Sequence, residues 1–167
     1  MITSKLDHPN FRVKHLDEAW STDPIFANCP SLHHGYIGAQ IFYGLTSRQI
    51  DVHGFRKPRN FAKIYRNQIR EQGAPSLLRR DNAKEEQSEE VQEIHRELYI
   101  KDGFSEKDHP NQNPVESKAI KWLKEASHVL LDRTGTPDAA WYLAIKYLSE
   151  IHSICYDPDL GMSPSQK

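Results

Sequence analysis

Three acids have the surroundings that metal-dependent chemistry requires. Asp23 lies in WSTDPIF, Asp81 ends SLLRRD, and Glu116 opens PVESKAIKWLK. Hydrophobic patterning puts Asp23 on a first strand, Asp81 just after a fourth, and Glu116 on the first turn of a helix that follows a fifth. In a mixed sheet whose first and fourth strands are neighbours, Asp23 and Asp81 sit side by side, and the helix start brings Glu116 over them. Three converging carboxylates repel one another unless a cation lies between them. Hard oxygen donors select Mg²⁺ or Mn²⁺. Two such ions about 3.5–4 Å apart can clamp the attacking and leaving oxygens of a phosphodiester.

The elements that must hold these acids follow from the changing period of the chain. Residues Glu18 to Ala27 read as a strand interrupted by Pro24, and Gly35 to Leu45 as a buried strand rich in aromatic and β-branched residues. Gln49 to Phe55 makes the next strand of an antiparallel pair. Phe61, Ile64, Tyr65 and Ile69 then share a helical face, with Gly73 at the C-terminal cap. Pro75 to Asp81 is a short strand. Val91, Ile94, Leu98 and Tyr99 mark a second helix with Ser88 at its N-cap. Asp102 to Glu106 is a further short strand. Val115, Ala119, Trp122, Ala126 and Val129, spaced by four and three, predict one helix from Pro114 to Arg133, and Ile120, Leu123 and Leu130, on the side of Glu116, are expected to pack down on the sheet. Trp141, Ala144, Ile145, Leu148 and Ile151 form the stripe of a last helix that begins after Thr136-Pro137. A hairpin followed by crossover units implies a mixed sheet with helices packed on it.

At 167 residues, 37% hydrophobic and 27% charged, the chain fits one domain and is neither disordered nor membrane-spanning by composition. No apolar run nears the roughly 18–20 residues of a transmembrane helix, and MITSKLDHPNFRVKH has no secretory h-region. Cys29 and Cys155, two distant cysteines, make neither a disulfide framework nor a cysteine-rich zinc site, which suits an intracellular setting. Net charge is −1, but Arg56 to Arg80 holds eight basic residues and one acid, Glu71, while Lys84 to Glu93 holds five glutamates and one lysine. A basic segment of this kind is either a solvated face or a partner for phosphates.

Taken in order, the three acid blocks resemble those of retroviral-type DDE integrases. WSTDPIF resembles the first-aspartate strand, LLRRDNAK the second-aspartate block, and SEKDHPNQNPVE the loop and helix start that carry the glutamate. The spacings, 58 positions from Asp23 to Asp81 and 35 from Asp81 to Glu116, agree with that family. IREQGAP and LLDRTGTPDAAW resemble connecting segments of copia-type retrotransposon integrases. The resemblance covers about Ala19 to Ile154. It implies a ribonuclease H-like α/β fold, a mixed five-stranded sheet flanked by helices, over residues 18–156, with an N-terminal arm over 1–17 and a loose tail over 157–167. It also implies polynucleotidyl transfer, in which DNA 3′ ends are processed and joined to target DNA. Asp23, Asp81 and Glu116 would be both the catalytic residues and the ligands of two Mg²⁺ or Mn²⁺ ions. Gln112, Asn113, Lys118 and Lys121 would face DNA. A homo-oligomer, a nuclear role and no membrane partner follow from the same resemblance.

Several residues depart from the family pattern. Arg79 stands where an apolar residue is common and Arg80 where Ser or Thr is usual. Strand alternation turns one of them inward, and a buried guanidinium must find an acid or snorkel out. Lys107 replaces a loop proline, and Ser117-Lys118 stands where an arginine commonly follows the glutamate. No zinc-binding His-His-Cys-Cys domain is expected from His8, His15, His33, His34 and the two cysteines, so at most the catalytic core is anticipated. The alternative is a non-catalytic DNA- or protein-binding module derived from an integrase. Asp51 is a weaker first acid, only 30 positions before Asp81. His33-His34 reads as a turn, and His95 and His128 as structural. The tyrosines and tryptophans are scattered at core spacings, and no base-stacking platform follows from them.

Overall fold

The computed structural model describes residues 13–80, 88–104 and 115–167, with Phe104, Glu116 and Ser117 described in backbone only. Five strands form one sheet in the order β3-β2-β1-β4-β5. β1 (Ala19–Phe26), β2 (Gly38–Gly44) and β3 (Ile50–Phe55) make an antiparallel meander. α1 (Phe61–Gln72) crosses over to β4 (Leu77–Arg80), which pairs parallel with β1. α2 (Glu89–Leu98) crosses over again to β5 (Lys101–Phe104), parallel to β4. Crossovers of this length are what parallel neighbours demand, so the change from hairpin to helix fixes where the sheet turns from antiparallel to parallel.

Each face of the sheet carries its own core. On one face Trp20, Phe42, Phe55 and Leu78 pack against Phe61, Tyr65 and Ile69 of α1 and Val91, Ile94 and Leu98 of α2. On the other face Ile25, Ala39, Ile41 and Val52 pack against Val115, Ala119, Leu123 and Ile145. Those four come from the last two helices, α3 (Lys121–Thr134) with its preceding turn, and α4 (Trp141–Ile154). Covering both faces of a partly parallel sheet is the usual route to burying its strands.

Four local readings are corrected. Pro24 does not interrupt β1: it pairs with Gln40 in a continuous eight-residue strand, and the described pairing to β4 ends at Ser21. Tyr99 is not part of the buried stripe of α2. It is the helix C-cap at φ 54 and is 88% exposed.

The third correction concerns the helix after β5, which does not begin as an α-helix. Val115–Ile120 is π-helical, and only Lys121–Thr134 is α. A π turn takes in one extra residue. Ile120 and Leu123, expected to pack down on the sheet, are buried there. Leu123 and Ser127 are buried, while Trp122 and Val129, placed inward by the sequence pattern, are 37% and 49% exposed.

The fourth is the tail over 157–167, which is folded rather than loose. Asp157 and Met162 form a bridge, and Ser163 and Gln166 close a reciprocal cap on a short 3₁₀ turn at Pro164–Gln166. Arg48 in the β2–β3 turn binds both carboxylate oxygens of Asp157, at 3.0 and 3.2 Å, and reaches Asp159 at 3.1 Å.

Candidate active site

Asp23 is half-buried near the middle of β1, with Ile41 of β2 as its pairing partner. Successive residues of a strand point to opposite faces. Asp23 therefore shares the face of Ile25, which belongs to the core covered by α3 and α4. The π turn that carries Glu116 in its backbone supplies Val115, Ala119 and Ile120 to that same core. The first acid and the turn bearing the third thus lie on one side of the sheet. Asp81, Gln112 and Asn113 lie outside the described residues, as does the side chain of Glu116. Among the described residues no group of three or more metal-ligating side chains occurs.

Lys118 and Lys121 are both exposed. Lys118 lines a cleft of about 370 Å³, together with Tyr43, Arg48, Trp122, His152 and Asp157. The rings of Trp122 and His152 lie 5.2 Å apart there, and His152 Nε2 is 3.0 Å from the backbone oxygen of Arg48.

The arginine pair is divided between the two faces. Arg80 is fully buried on the α1–α2 side with Leu78, and its Nη2 donates to Asp102 Oδ1 at 2.7 Å. That carboxylate also contacts His95 Nδ1 at 2.8 Å, and His95 Nε2 lies 3.1 Å from the Tyr65 hydroxyl. The inward guanidinium has found an acid, as its burial required. Burial pushes His95 below the ordinary histidine value; Asp102 opposes the shift and Arg80 adds to it. Burial likewise raises the Tyr65 hydroxyl. Nothing in the sequence pattern joined His95 to Asp102, because they meet only once β4 and β5 are paired beneath α2. Arg79, by contrast, is exposed and alternates onto the face of Asp23, opposite Ser21 in the ladder.

Asp51 lies on the opposite face from Asp23, where it accepts from Gln68 Nε2 at 2.7 Å and from Gln49 Nε2 at 3.2 Å. Burial raises its carboxyl, and these amide donors moderate the rise. Gln68 also contacts His53 at 2.5 Å. Asp51 is therefore a satisfied structural acid on the α1 side, apart from the other candidates.

No family model and no curated protein matches the sequence. Solved structures do match by shape. The HTLV-2 integrase catalytic core domain in complex with magnesium, in a trimeric form, superposes with a TM-score of 0.65 at 16% identity, over 93% of this chain and 98% of that one. The fold is the ribonuclease H-like fold of a retroviral integrase core. A chain of the simian T-cell lymphotropic virus intasome, solved in complex with PP2A regulatory subunit B56 gamma, gives a TM-score of 0.70 at 14% identity over 93% of this chain. This chain spans 56% of that intasome chain. The ribonuclease H-like core accounts for the strand order 3-2-1-4-5 and for the helices on both faces. Among the described residues no helix is long and apolar enough to cross a membrane.

Proposed function

We propose that this chain is the catalytic core of a retroelement integrase of copia type, a metal-dependent polynucleotidyl transferase acting on DNA ends. One observation carries the reading. In the β1–β4 ladder Ala19 pairs with Leu77, Trp20 with Leu78 and Ser21 with Arg79, a constant offset of 58. Asp23 and Asp81 are separated by the same 58 positions. Asp81 lies outside the described residues; the reading takes it to keep that offset, which would put the two acids abreast on neighbouring strands about 4.8 Å apart, close enough to share a cation.

The donor set suits Mg²⁺ or Mn²⁺: Asp23, Asp81 and Glu116 offer only carboxylate oxygens. These three would hold two ions, which when bound supply Lewis-acid charge to the attacking and leaving oxygens of a phosphodiester. The magnesium in the HTLV-2 core structure supports the choice. The chain's own contribution is placement. Asp23 is fixed by a central strand, and Glu116 by a helical turn packed on the same face. Lys118 and Lys121, with Gln112 and Asn113 ahead of them, orient the DNA backbone, and exposed Arg79 adds a cation beside the acids. Water or a DNA 3′-hydroxyl attacks phosphorus as the opposite ester oxygen leaves, so no covalent enzyme intermediate forms. Assembly into an oligomer on DNA, and a nuclear site of action, belong to the same reading. The non-catalytic alternative rested partly on Arg79-Arg80, and that support weakens because Arg80 is neutralised on the far face by Asp102.

Strand transfer of a labelled duplex end in Mg²⁺ or Mn²⁺ tests the proposal. Asp23→Asn, Asp81→Asn and Glu116→Gln should each lower joining by at least about a hundredfold, with an unchanged circular-dichroism spectrum. A parent chain that joins DNA and three variants that join it equally well would refute the assignment.

A further inference from the structure

We propose that the stacked rings of His34 and Tyr36 form a platform for an unpaired nucleobase. The platform sits at the β3 edge, on the same face of the sheet as Asp23. This deepens the reading above, on which it rests for nucleic acid as the partner.

The platform is assembled from separate parts of the chain. The His34 and Tyr36 rings are 4.9 Å apart and inclined by 16°, a stacked pair. Tyr142 of α4 meets Tyr36 edge-on at 4.8 Å and His34 edge-on at 6.0 Å, bracing both rings. Tyr36 lies directly over Gly54, where any side chain would collide with its ring. The loop that presents His34 is closed by its own hydrogen bonds. Ser31 N–H donates to the Tyr36 carbonyl at 2.8 Å, Gly35 N–H to the Ser31 carbonyl at 3.0 Å, and Tyr36 N–H to Ser31 Oγ at 3.0 Å. Leu32 N–H donates to Ala139 at 2.8 Å, which ties the loop to the approach of α4. His33 and Gly35, on either side of His34, both take positive φ, 66° and 61°. Such a turn throws the intervening side chain outward.

Tyr36 and Tyr142 pack over Gly54, and His34 stacks on Tyr36 while remaining exposed. A base laid on it would extend the stack at little ordering cost. Arg56 Nε donates to the His34 backbone carbonyl at 2.8 Å, which ties a basic side chain to the loop. Lys57 and Arg59 follow, both exposed. From Val52 to Arg70 the sequence holds no acid, while Glu150 and Glu71 are the acids that act on Tyr142. An aromatic ring flanked by cations is the arrangement that holds a single strand without reading its sequence. In the ladders, Gly54 under Tyr36 lies in the row of Ala39 and Ile25, while Asp23 lies in the next row on that face, with Ile41 and Val52. Two strand spacings and two residues separate them, roughly 12 Å. A strand stacked on His34 is therefore within reach of the candidate acids.

The test is fluorescence anisotropy of a labelled single-stranded oligonucleotide in EDTA, where metal-dependent chemistry is absent. A copy with abasic sites and the corresponding duplex serve as comparisons. The parent should bind the intact strand more tightly than the abasic one. His34→Ala should weaken the intact strand by on the order of tenfold and leave the abasic strand unchanged. His34→Phe should retain binding. Lys57→Ala and Arg59→Ala should weaken both strands and flatten the salt dependence. Equal binding of intact and abasic strands, or a folded His34→Ala variant that binds like the parent, would overturn the platform. Asp23→Asn separates the two proposals. If it binds the single strand normally but joins no ends, both stand. If the parent joins ends while binding ignores His34, the platform alone fails. If the single strand binds through His34 but no ends are ever joined, the catalytic reading alone fails.

Discussion

Arg80, Asp102 and His95 show how a residue that looks misplaced in the sequence becomes a structural anchor. A guanidinium is expensive to bury, and a single close carboxylate offsets that cost only with good geometry. The 2.7 Å contact ties Arg80, the last residue of β4, to Asp102, the second residue of β5, and β4 is the strand that leads into Asp81. His95 adds a pH dependence. Its folded-state pKa is lowered, first by burial, while Asp102 pulls it up and Arg80 pulls it down. The unfolded chain therefore binds a proton near the ordinary histidine value, about 6.5, before the folded chain does. Stability from this group is complete above that pH and is lost as pH falls through it towards the folded-state pKa. Melting temperatures measured from about pH 8 to 5 should drop on the acid side in the parent. The drop should be shallower in His95→Gln; an identical profile would show that another group controls it.

Among the elements, the helix after β5 is where the sequence was least legible. Apolar residues at four-and-three spacing from Val115 predict an α stripe through Trp122, Ala126 and Val129. Trp122 and Val129 are exposed, while Leu123, read from the Glu116 side as packing on the sheet, is buried with Ile120 and Ser127 around the π turn at Val115–Ile120. Periodicity cannot reveal an inserted residue when residues on both sides of each position are apolar, as with Ala119-Ile120 and Trp122-Leu123. The strands were easier to read because β-branched and aromatic runs are bounded by turn residues. Even so, Gly35 to Ile37 proved to be loop rather than the start of β2. The burial of Leu123 has a measurable consequence. Leu123→Ala should cost about 2–5 kcal/mol in chemical denaturation. Val129→Lys should change stability by no more than about 0.5 kcal/mol. The reverse ranking would restore the plain α-helical stripe.

For the whole molecule, the order hairpin, crossover, crossover was enough to expect a mixed sheet, and the order 3-2-1-4-5 agrees with it. Two features that lie far apart in the chain were not legible. One is the C-terminal segment, held to the β2–β3 turn by Arg48, Asp157 and Asp159, residues more than a hundred positions apart. The other is the ring cluster in which Tyr142 meets His34 and Tyr36, more than a hundred positions earlier, only when α4 lies along β3. The acids stand between these cases. The strand position of Asp23 was legible, and its proposed partnership with Asp81 rests on a ladder offset that only pairing could supply.

The most direct measurement is calorimetric titration of Mn²⁺ into the purified chain and into Asp23→Asn, Asp81→Asn and Glu116→Gln. If all three carboxylates share the ions as proposed, the parent binds saturably and each substitution abolishes binding or weakens it by at least about tenfold. Binding that survives unchanged in any of the three variants would contradict the convergence of these acids into one site.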